Sequence, residues 1–395
     1  MMRRKSTEKH PTSVVVPYRD EECQDANDPT KDDARGYLHR DRTSVRDGDP
    51  RRASTETAAK PGIDQDLRVR HKPSWSVSPV LHPTHPRVRS VAQASGANQK
   101  AEMFTRQGHS PGIEFPRIVG IECIGVVAGY PAAETAESGA ASPRLPIGTR
   151  VATCMGGLGR QIPGSYAEYT CVSQANVRPI PATNLPVGTL AALPEMLQTT
   201  WGSLVNGLDL RPGESLLVRG ATSSIGLCAL QLARKLGAVS IGATSRSAER
   251  EELLRQNGAT EFFVDDGEVA KAVAQSDKGG FDKILELTGT TTLRDSVRCA
   301  VSKGTICMTG IQGGEWELEK FTPMGDLPNR VRLCAYGGGP DDFMALPWEE
   351  LIHDIEAGKV KIPVREFKLE DIRQVHEILE SGGGGAKMVV VVNDK

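Results

Sequence analysis

Small residues between Gly220 and Gly226 form the part of the sequence best suited to chemistry, within the stretch LLVRGATSSIGLCALQLARKL. A helix N-terminus offers unpaired N–H groups and a positive dipole end, and small turn residues let a phosphate approach them. Gly220 suits a sharp exit from a strand, and Gly226 suits close packing of helix against strand. The spacing predicts a dinucleotide-binding turn made of Gly220, Ala221, Thr222, Ser223, Ser224, Ile225 and Gly226.

The middle glycine of the usual G-x-G-x-x-G pattern is absent from this turn. Ser223 or Ser224 stands in its place, which keeps the turn small and adds a hydroxyl that can bond a phosphate. A glycine-rich turn is weak evidence by itself, so an ordinary strand-to-helix turn without a ligand remains the alternative for this segment alone.

Thr244, Ser245 and Arg246 follow the next hydrophobic stretch, 239–243. They lie roughly 20 residues beyond the turn, where a site that prefers NAD usually has an acidic residue for the ribose hydroxyl. A guanidinium with neighbouring hydroxyls can instead bond a 2′-phosphate, so we expect NADPH as the cofactor. In the alternative interpretation Arg246 is a solvated residue beside a helix that begins at Ser247.

The elements that must position these residues alternate between strands and helices. The turn would follow a strand at 215–219 and open a helix at 225–236. Further strands are predicted at 239–243, 261–264, 283–287, 305–309 and 331–336, with helices at 249–256, 269–275 and 293–301. This alternation indicates an α/β fold with a doubly wound parallel sheet.

Ligands of such sheets lie beyond the carboxyl ends of the strands. Four residues just past predicted strand ends are therefore expected to line the cofactor site, with simple loop punctuation as the alternative for each: Thr288, Gly289, Gly310 and Ile311.

Length and composition favour a two-domain protein without global affinity for charged polymers. The chain has 395 residues and a formal net charge of −2, so attraction to nucleic acid or anionic lipid is not expected. No apolar run reaches the roughly 18 residues that would span a membrane. Eight scattered cysteines are typical of free thiols in a reducing compartment, and we expect a cytoplasmic protein.

The first 97 residues have a different composition from the rest of the chain. They are dense in charged residues, proline, serine and threonine, with few apolar side chains to bury. Such a segment cannot recover its conformational entropy by burial. Residues 1–97 are therefore predicted to be a disordered charged tail.

From Ala101 onward the chain resembles the medium-chain dehydrogenase/reductase superfamily, and within it the zinc-independent quinone oxidoreductases, which include enoyl reductase-type domains. The matching segments are PRIVGIECIGVV at 116–127, IGTRVATCMGG at 147–157, GSYAEYT at 164–170, ALPEMLQTTWGSL at 192–204, the cofactor turn, and LELTGTTTLRDSVRC at 285–299.

The resemblance implies an architecture that periodicity alone does not give. It places a GroES-like β-rich catalytic domain at 98–195, a Rossmann NADP-binding domain at 196–340 and a return to the catalytic domain at 341–395, with the active site in the cleft between domains. Family members begin with about fifty residues of β structure, of which only SGANQKAEMF at 95–104 is similar here. The catalytic barrel is therefore expected to lack its opening strands.

The resemblance also bears on metal and catalytic residues. The zinc-dependent branch has a G-H-E motif whose histidine binds zinc, and this chain has Ile121 at that position, so no metal is expected. Thr199 matches a family threonine that would face the nicotinamide or its ribose, and it is one of two candidates for a catalytic residue. The other is Tyr166, for which packing on a strand is the favoured alternative, and no catalytic acid is assigned.

The function implied is NADPH-dependent hydride transfer to a quinone or an α,β-unsaturated carbonyl, with a small molecule as substrate and a homodimer as a possible assembly. Two alternatives stay open at this point. One is a trans-acting enoyl reductase that uses thioester substrates, and the other is a non-catalytic NADPH-binding protein with a degenerate substrate domain.

Overall fold

The computed structural model describes residues 87–97, 101–110, 113, 115–130, 144–382 and 385–392. Its strands, in chain order, are β1 (Arg87–Ala97), β2 (Glu122–Gly129), β3 (Arg150–Cys154), β4 (Tyr169–Ser173), β5 (Arg178–Pro179), β6 (Ser215–Arg219), β7 (Ser240–Ser245), β8 (Glu261–Val264), β9 (Phe281–Glu286), β10 (Ala300–Met308), β11 (Arg332–Ala335), β12 (Val364–Lys368) and β13 (Lys387–Val391).

The helices are α1 (Ala101–Arg106), α2 (Val187–Ala191), α3 (Leu193–Gly202), α4 (Ser224–Lys235), α5 (Glu251–Gln256), α6 (Val269–Gln275), α7 (Thr290–Ser296), α8 (Pro323–Asp326), α9 (Pro340–Met344), α10 (Trp348–Glu356) and α11 (Ile372–Glu380). A π-helical turn at Ser203–Gly207 continues α3. Within the described ranges, every helix is too short or too polar to cross a membrane.

Six parallel strands form the sheet that carries the glycine turn, in the order β11-β10-β9-β6-β7-β8. Renumbered within the sheet this is the order 3-2-1-4-5-6 read from β8, which is that of a doubly wound dinucleotide-binding fold. The order reverses between β6 and β9, so a crevice for a ligand is expected there. The predicted parallel sheet is confirmed.

The hydrophobic pattern of β6 and α4 explains why the turn lies where it does. Every residue of β6 is buried, and the inner face of α4 buries Leu227, Leu230 and Ala233 in the largest hydrophobic cluster. Burial of a large aliphatic side chain contributes about 1.5–3 kcal/mol, so strand and helix are held firmly on either side of the turn.

The predicted helix at 293–301 is wrong at its C-terminal end. Helix α7 ends at Ser296, a 3₁₀ turn covers Val297–Cys299, and β10 begins at Ala300. Ala300 pairs with Phe281 of β9, and this pairing with a distant strand outweighs the local helical spacing of the apolar residues.

A second sheet contains seven strands within the described residues, in the order β12-β13-β1-β2-β3-β5, with β4 also pairing β1. Strands β12 and β13 come from the end of the chain, so the C-terminal segment completes this sheet. The prediction that residues up to 97 are disordered is therefore wrong for Arg87–Ala97, because this segment is the strand that β2, β4 and β13 all pair with.

Strand β1 was not predicted from the sequence because its buried residues are small. Val88, Ala92 and Ala94 are fully buried, yet the segment has too little apolar surface to predict a strand from local pattern. Its partners lie far away in sequence and supply the hydrogen bonds. The expected loss of opening strands covered all residues before Ser95, so β1 contradicts it for residues 87–94, and residues 1–86 lie outside the described residues.

Candidate functional site

The turn between β6 and α4 has the geometry of a phosphate-binding loop. Gly220 has a φ of 79°, which favours glycine. A Cβ on Gly226 would lie 2.6 Å from the Cα of Ala221, so only glycine lets α4 approach the strand this closely. The predicted roles of both glycines in turn and packing agree with this geometry.

The two serines of the turn differ in what their hydroxyls do. Ser223 Oγ accepts a hydrogen bond from the Gly226 N–H at 3.1 Å and donates one to the Gly220 carbonyl at 3.0 Å, so it caps α4. Ser224 is half-buried, and its hydroxyl has no partner among the described residues. Ser224 is therefore the serine better placed to bond a ligand.

The ends of β6, β9 and β10 bring the other predicted cofactor residues together. A Cβ on Gly220 would lie 3.2 Å from Thr288 Oγ1, and one on Gly289 would lie 3.1 Å from the Gly310 carbonyl oxygen. Gly310 is itself packed against Leu287, where a Cβ would meet the backbone oxygen at 2.2 Å. Ile311 follows, half-buried, at the same edge. These residues lie close together where the strand order reverses, which is where the crevice for a ligand is expected.

Thr244, Ser245 and Arg246 lie at the carboxyl end of β7, beside the turn. Thr244 is fully buried, and its Oγ1 accepts a hydrogen bond from the Gly220 N–H at 3.1 Å, so it supports the turn. Ser245 Oγ accepts one from the Ser247 N–H at 3.2 Å. Arg246 is exposed, and its guanidinium forms no hydrogen bond or ion pair with any residue that the structure describes.

Thr199 lies on α3 and is connected to the same crevice. Ser203 Oγ donates to the Thr199 carbonyl oxygen at 2.6 Å and lies 2.8 Å from Thr309 Oγ1, and Thr309 immediately precedes Gly310. Thr199 Oγ1 donates to Glu195 Oε1 at 2.8 Å. The hydroxyl hydrogen of Thr199 is therefore already used, which leaves its oxygen lone pairs to accept from a ligand.

Glu195, which accepts the hydrogen bond from Thr199, belongs to a buried cluster of charged side chains. Lys387 Nζ lies 2.7 Å from Glu122 Oε1 and 3.2 Å from Glu195 Oε2, and the Glu195 N–H donates to Glu122 Oε2 at 2.8 Å. Burial raises the pKa of Glu122 to about 7, against the effect of Lys387. Burial alone would lower the pKa of Lys387, but the two carboxylates outweigh it and hold the pKa above its usual value.

Tyr166 is not brought to this crevice. Its ring packs edge-on against His376, with 6.2 Å between the ring centroids, in a cluster with Val375 and Leu379. Its hydroxyl is buried and bonds to none of the described residues, and burial raises its pKa well above the usual value. This environment favours the packing alternative over a role in proton transfer.

The sequence analysis missed Glu195, Lys387 and a buried arginine, Arg219. Each is charged, yet Arg219 is the last residue of the hydrophobic stretch LLVR and Lys387 is the first residue of KMVVVV. A charge at the end of an otherwise apolar strand is the signal that could have found these two residues, because a buried charge requires partners. The identity of those partners lies in the tertiary fold.

Comparisons with known proteins agree with this geometry. Residues 88–182 match the family described as alcohol dehydrogenase GroES-like domain, and residues 224–347 match the family described as zinc-binding dehydrogenase. The first match begins within β1, and the second begins at α4.

Quinone oxidoreductases are among the relatives. That of Mus musculus is 28% identical over 241 residues, covering 58% of this chain and 70% of the relative. That of Pseudomonas aeruginosa is 28% identical over 301 residues, covering 74% and 87%. The crystal structure of the Escherichia coli quinone oxidoreductase complexed with NADPH superposes with a TM-score of 0.65 at 19% identity, covering 79% of this chain and 94% of that one.

The description of the second family names zinc, but the side chains near Ile121 are not suited to bind a zinc ion. Ile121 stands where a zinc-ligating histidine would be, and the Lys387 ammonium already lies between the two nearby carboxylates of Glu122 and Glu195. In the ranges that the structure describes, no group of three or more histidine, cysteine, aspartate or glutamate side chains could hold a metal ion.

Both sheets, the glycine turn and the matched families point to one assignment. The sheet order and the crevice at its reversal are those of a dinucleotide-binding fold, and the matched GroES-like family covers β1 to β5 of the other sheet. The chain therefore belongs to the medium-chain dehydrogenase/reductase superfamily and is similar to its quinone oxidoreductases.

Proposed function

We propose that this protein is an NADPH-dependent oxidoreductase that transfers hydride to a quinone or an α,β-unsaturated carbonyl without zinc. The observation that carries the proposal is the guanidinium of Arg246, which is exposed next to the phosphate turn and has no partner among the described residues, with no acidic residue at the end of β7. An acid there would repel a 2′-phosphate, whereas Arg246 can bond it. The quinone oxidoreductase relatives support the reaction class.

The cofactor would supply the hydride, and the protein would supply binding and orientation. The free N–H groups of α4 and the hydroxyl of Ser224 would bind the pyrophosphate. Thr199, whose hydroxyl hydrogen is held by Glu195, would accept a hydrogen bond from the nicotinamide end. Gly310 and Ile311 would line the cofactor site, and a developing oxyanion on the substrate would be stabilised by hydrogen bonds instead of a metal.

Cofactor preference gives the first prediction. The wild-type chain should bind NADPH more tightly than NADH, and Arg246→Ala should weaken NADPH binding about 10- to 100-fold, since a charged hydrogen bond contributes roughly 1.5–3 kcal/mol. Binding of NADH should change little, because NADH has no 2′-phosphate. Titration followed by cofactor fluorescence measures both constants.

Arg250→Ala is the matched control, since Arg250 is also exposed and only four residues away. It should leave both dissociation constants near their wild-type values. Equal affinity of the wild-type chain for NADPH and NADH would refute the preference.

Turnover is tested separately from binding. We expect NADPH oxidation with a simple quinone or an enone, unaffected by a metal chelator and followed by loss of the reduced nicotinamide absorbance. Oxidation only with thioester-linked enones would identify an enoyl reductase. Binding without oxidation of NADPH by any of these acceptors would show a cofactor-binding protein without catalysis.

A further inference from the structure

Arg219 is the last residue of β6 and immediately precedes the phosphate turn. Its side chain is completely buried. The guanidinium donates two hydrogen bonds to Asp265, from Nη2 to Oδ1 at 2.7 Å and from Nε to Oδ2 at 2.9 Å. It also donates from Nη1 to Asp295 and, at 3.2 Å, to Ser296 Oγ.

One branch of this network reaches the turn through β7. Asp265 Oδ2 accepts a hydrogen bond from Thr244 Oγ1 at 3.4 Å, and Thr244 Oγ1 accepts one from the Gly220 N–H at 3.1 Å. The Asp265 N–H donates to the Ser245 carbonyl oxygen at 2.8 Å. Arg219 is thereby connected to the residues that precede Arg246.

The other branch reaches the loop that follows β9. Ser296 Oγ donates to Glu286 Oε2, and Glu286 Oε1 accepts from the backbone N–H groups of Thr288 at 2.7 Å and Gly289 at 2.9 Å. Glu286 is fully buried, so its carboxyl group has little competition from water. The loop that lines the crevice is therefore held by a side chain that Arg219 contacts through Ser296.

We propose that Arg219 is a positioning residue for the dinucleotide site, which fixes the phosphate turn, the end of β7 and the loop after β9 relative to one another. This inference rests on the proposed use of a nicotinamide dinucleotide. The planar fork of an arginine can bond Asp265 with two parallel hydrogen bonds and still reach Asp295 and Ser296, whereas a lysine ammonium is a point charge that cannot span all of them.

The test compares Arg219→Lys and Arg219→Gln in the full chain. NADPH would contact all three segments, whereas adenosine 2′-monophosphate, which has no 5′-phosphate for the turn, would occupy only the end of β7. We expect the dissociation constant for NADPH to rise about 5- to 10-fold in R219K and at least about 30-fold in R219Q. The constant for adenosine 2′-monophosphate should change no more than about 2-fold in R219K.

Steady-state kinetics adds a second readout. In R219K the KM for NADPH should rise while kcat stays within about 2-fold of the wild-type value, because the reacting atoms are not touched. All titrations are made at a temperature well below the midpoint of thermal unfolding of each variant, so that only folded protein is compared. R219K keeps the positive charge, and the test relies on this variant alone if R219Q does not fold.

Arg255→Gln is the matched control, because Arg255 lies in the same domain and forms an exposed ion pair with Glu251. It should bind NADPH as the wild-type chain does. The inference is overturned if R219K is less stable to heat but binds NADPH with wild-type affinity, since Arg219 would then serve stability alone. If the wild-type chain binds neither NADPH nor NADH, the proposed function fails, and this inference fails with it.

Discussion

Buried acidic residues in this protein differ in whether a countercharge lies beside them. Glu122 and Glu195 share Lys387, but Glu102 on α1 has no ion pair with any described residue. Glu102 Oε1 accepts a hydrogen bond from the Ile121 N–H at 3.2 Å, and Oε2 is buried without a partner there. Burial raises the pKa of Glu102 to about 8, opposed by the more distant Lys387.

This pKa predicts a pH dependence of stability with a definite sign. Between the ordinary pKa near 4.5 and the folded-state pKa near 8, the folded protein holds a proton on Glu102 that the unfolded chain releases. The contribution of Glu102 to the free energy of unfolding is therefore complete below about pH 4.5 and declines toward pH 8, by up to about 1.4 kcal/mol per pH unit.

Glu102→Gln removes this titration while keeping the shape of the side chain. Relative to wild type, the variant should gain free energy of unfolding as the pH rises through this interval, by a few kcal/mol in total. Denaturant unfolding of both proteins at several pH values measures the difference, and Glu370→Gln at an exposed position is the control. A difference that stays constant with pH would show that Glu102 is ionised in the folded protein.

The contact between β6 and α4 is the element on which the cofactor site depends. Because a Cβ on Gly226 would lie 2.6 Å from both the Cα and the carbonyl oxygen of Ala221, Gly226→Ala must push α4 away from the strand. We expect a loss of about 1–3 kcal/mol in the free energy of unfolding, as for other overpacked positions, and weaker NADPH binding. Chemical denaturation and cofactor titration measure the two effects.

Gly129→Ala is the matched control for this substitution. Gly129 lies at the end of β2 without a left-handed backbone, and nothing lies within 4 Å of the position that its Cβ would take. The control should change stability by no more than about 0.5 kcal/mol. If Gly226→Ala were as stable as this control, α4 would be able to shift away from Ala221 without a loss of stability, and the expectation would be wrong.

Elements with strong local patterns could be predicted from the sequence, and those defined by distant partners could not. The strand Ser215–Arg219 and the helix Val269–Gln275 have the predicted limits, because hydrophobic period and glycine punctuation are local. Strand β1 was missed because its pairing with β13 is encoded at the far end of the chain. Likewise the glycine turn could be predicted, but the partners of Arg219 could not, since Asp265 and Asp295 follow two other strands.

At the scale of the whole molecule, the two sheets are joined by contacts between β5 and the α9–α10 segment. Arg178 of β5 donates to the carbonyl oxygens of Phe343 at 2.8 Å and Leu346 at 3.0 Å. Helix α10 is in turn bound to α4 of the Rossmann sheet, where Lys235 Nζ lies 2.5 Å from Asp354 Oδ2. Arg178 therefore connects the sheet that contains β1 to the domain that would hold the cofactor.

The last prediction concerns this connection. Arg178→Ala would remove two hydrogen bonds to backbone carbonyls and the stacking of the guanidinium over Phe343 and Trp348, so we expect a loss of about 1–3 kcal/mol in the free energy of unfolding. Thermal unfolding measures the loss. Faster proteolysis between β11 and α10 should accompany it, because that segment would be held by fewer contacts. Arg365→Ala is the control, since Arg365 stacks on Phe367 at an exposed position within its own strand. If both variants lose the same small amount of stability, Arg178 does not hold the two sheets together. A larger loss confined to Arg178→Ala is the result we expect because, of the two arginines, only Arg178 bonds to the α9–α10 segment, which is itself bound to α4.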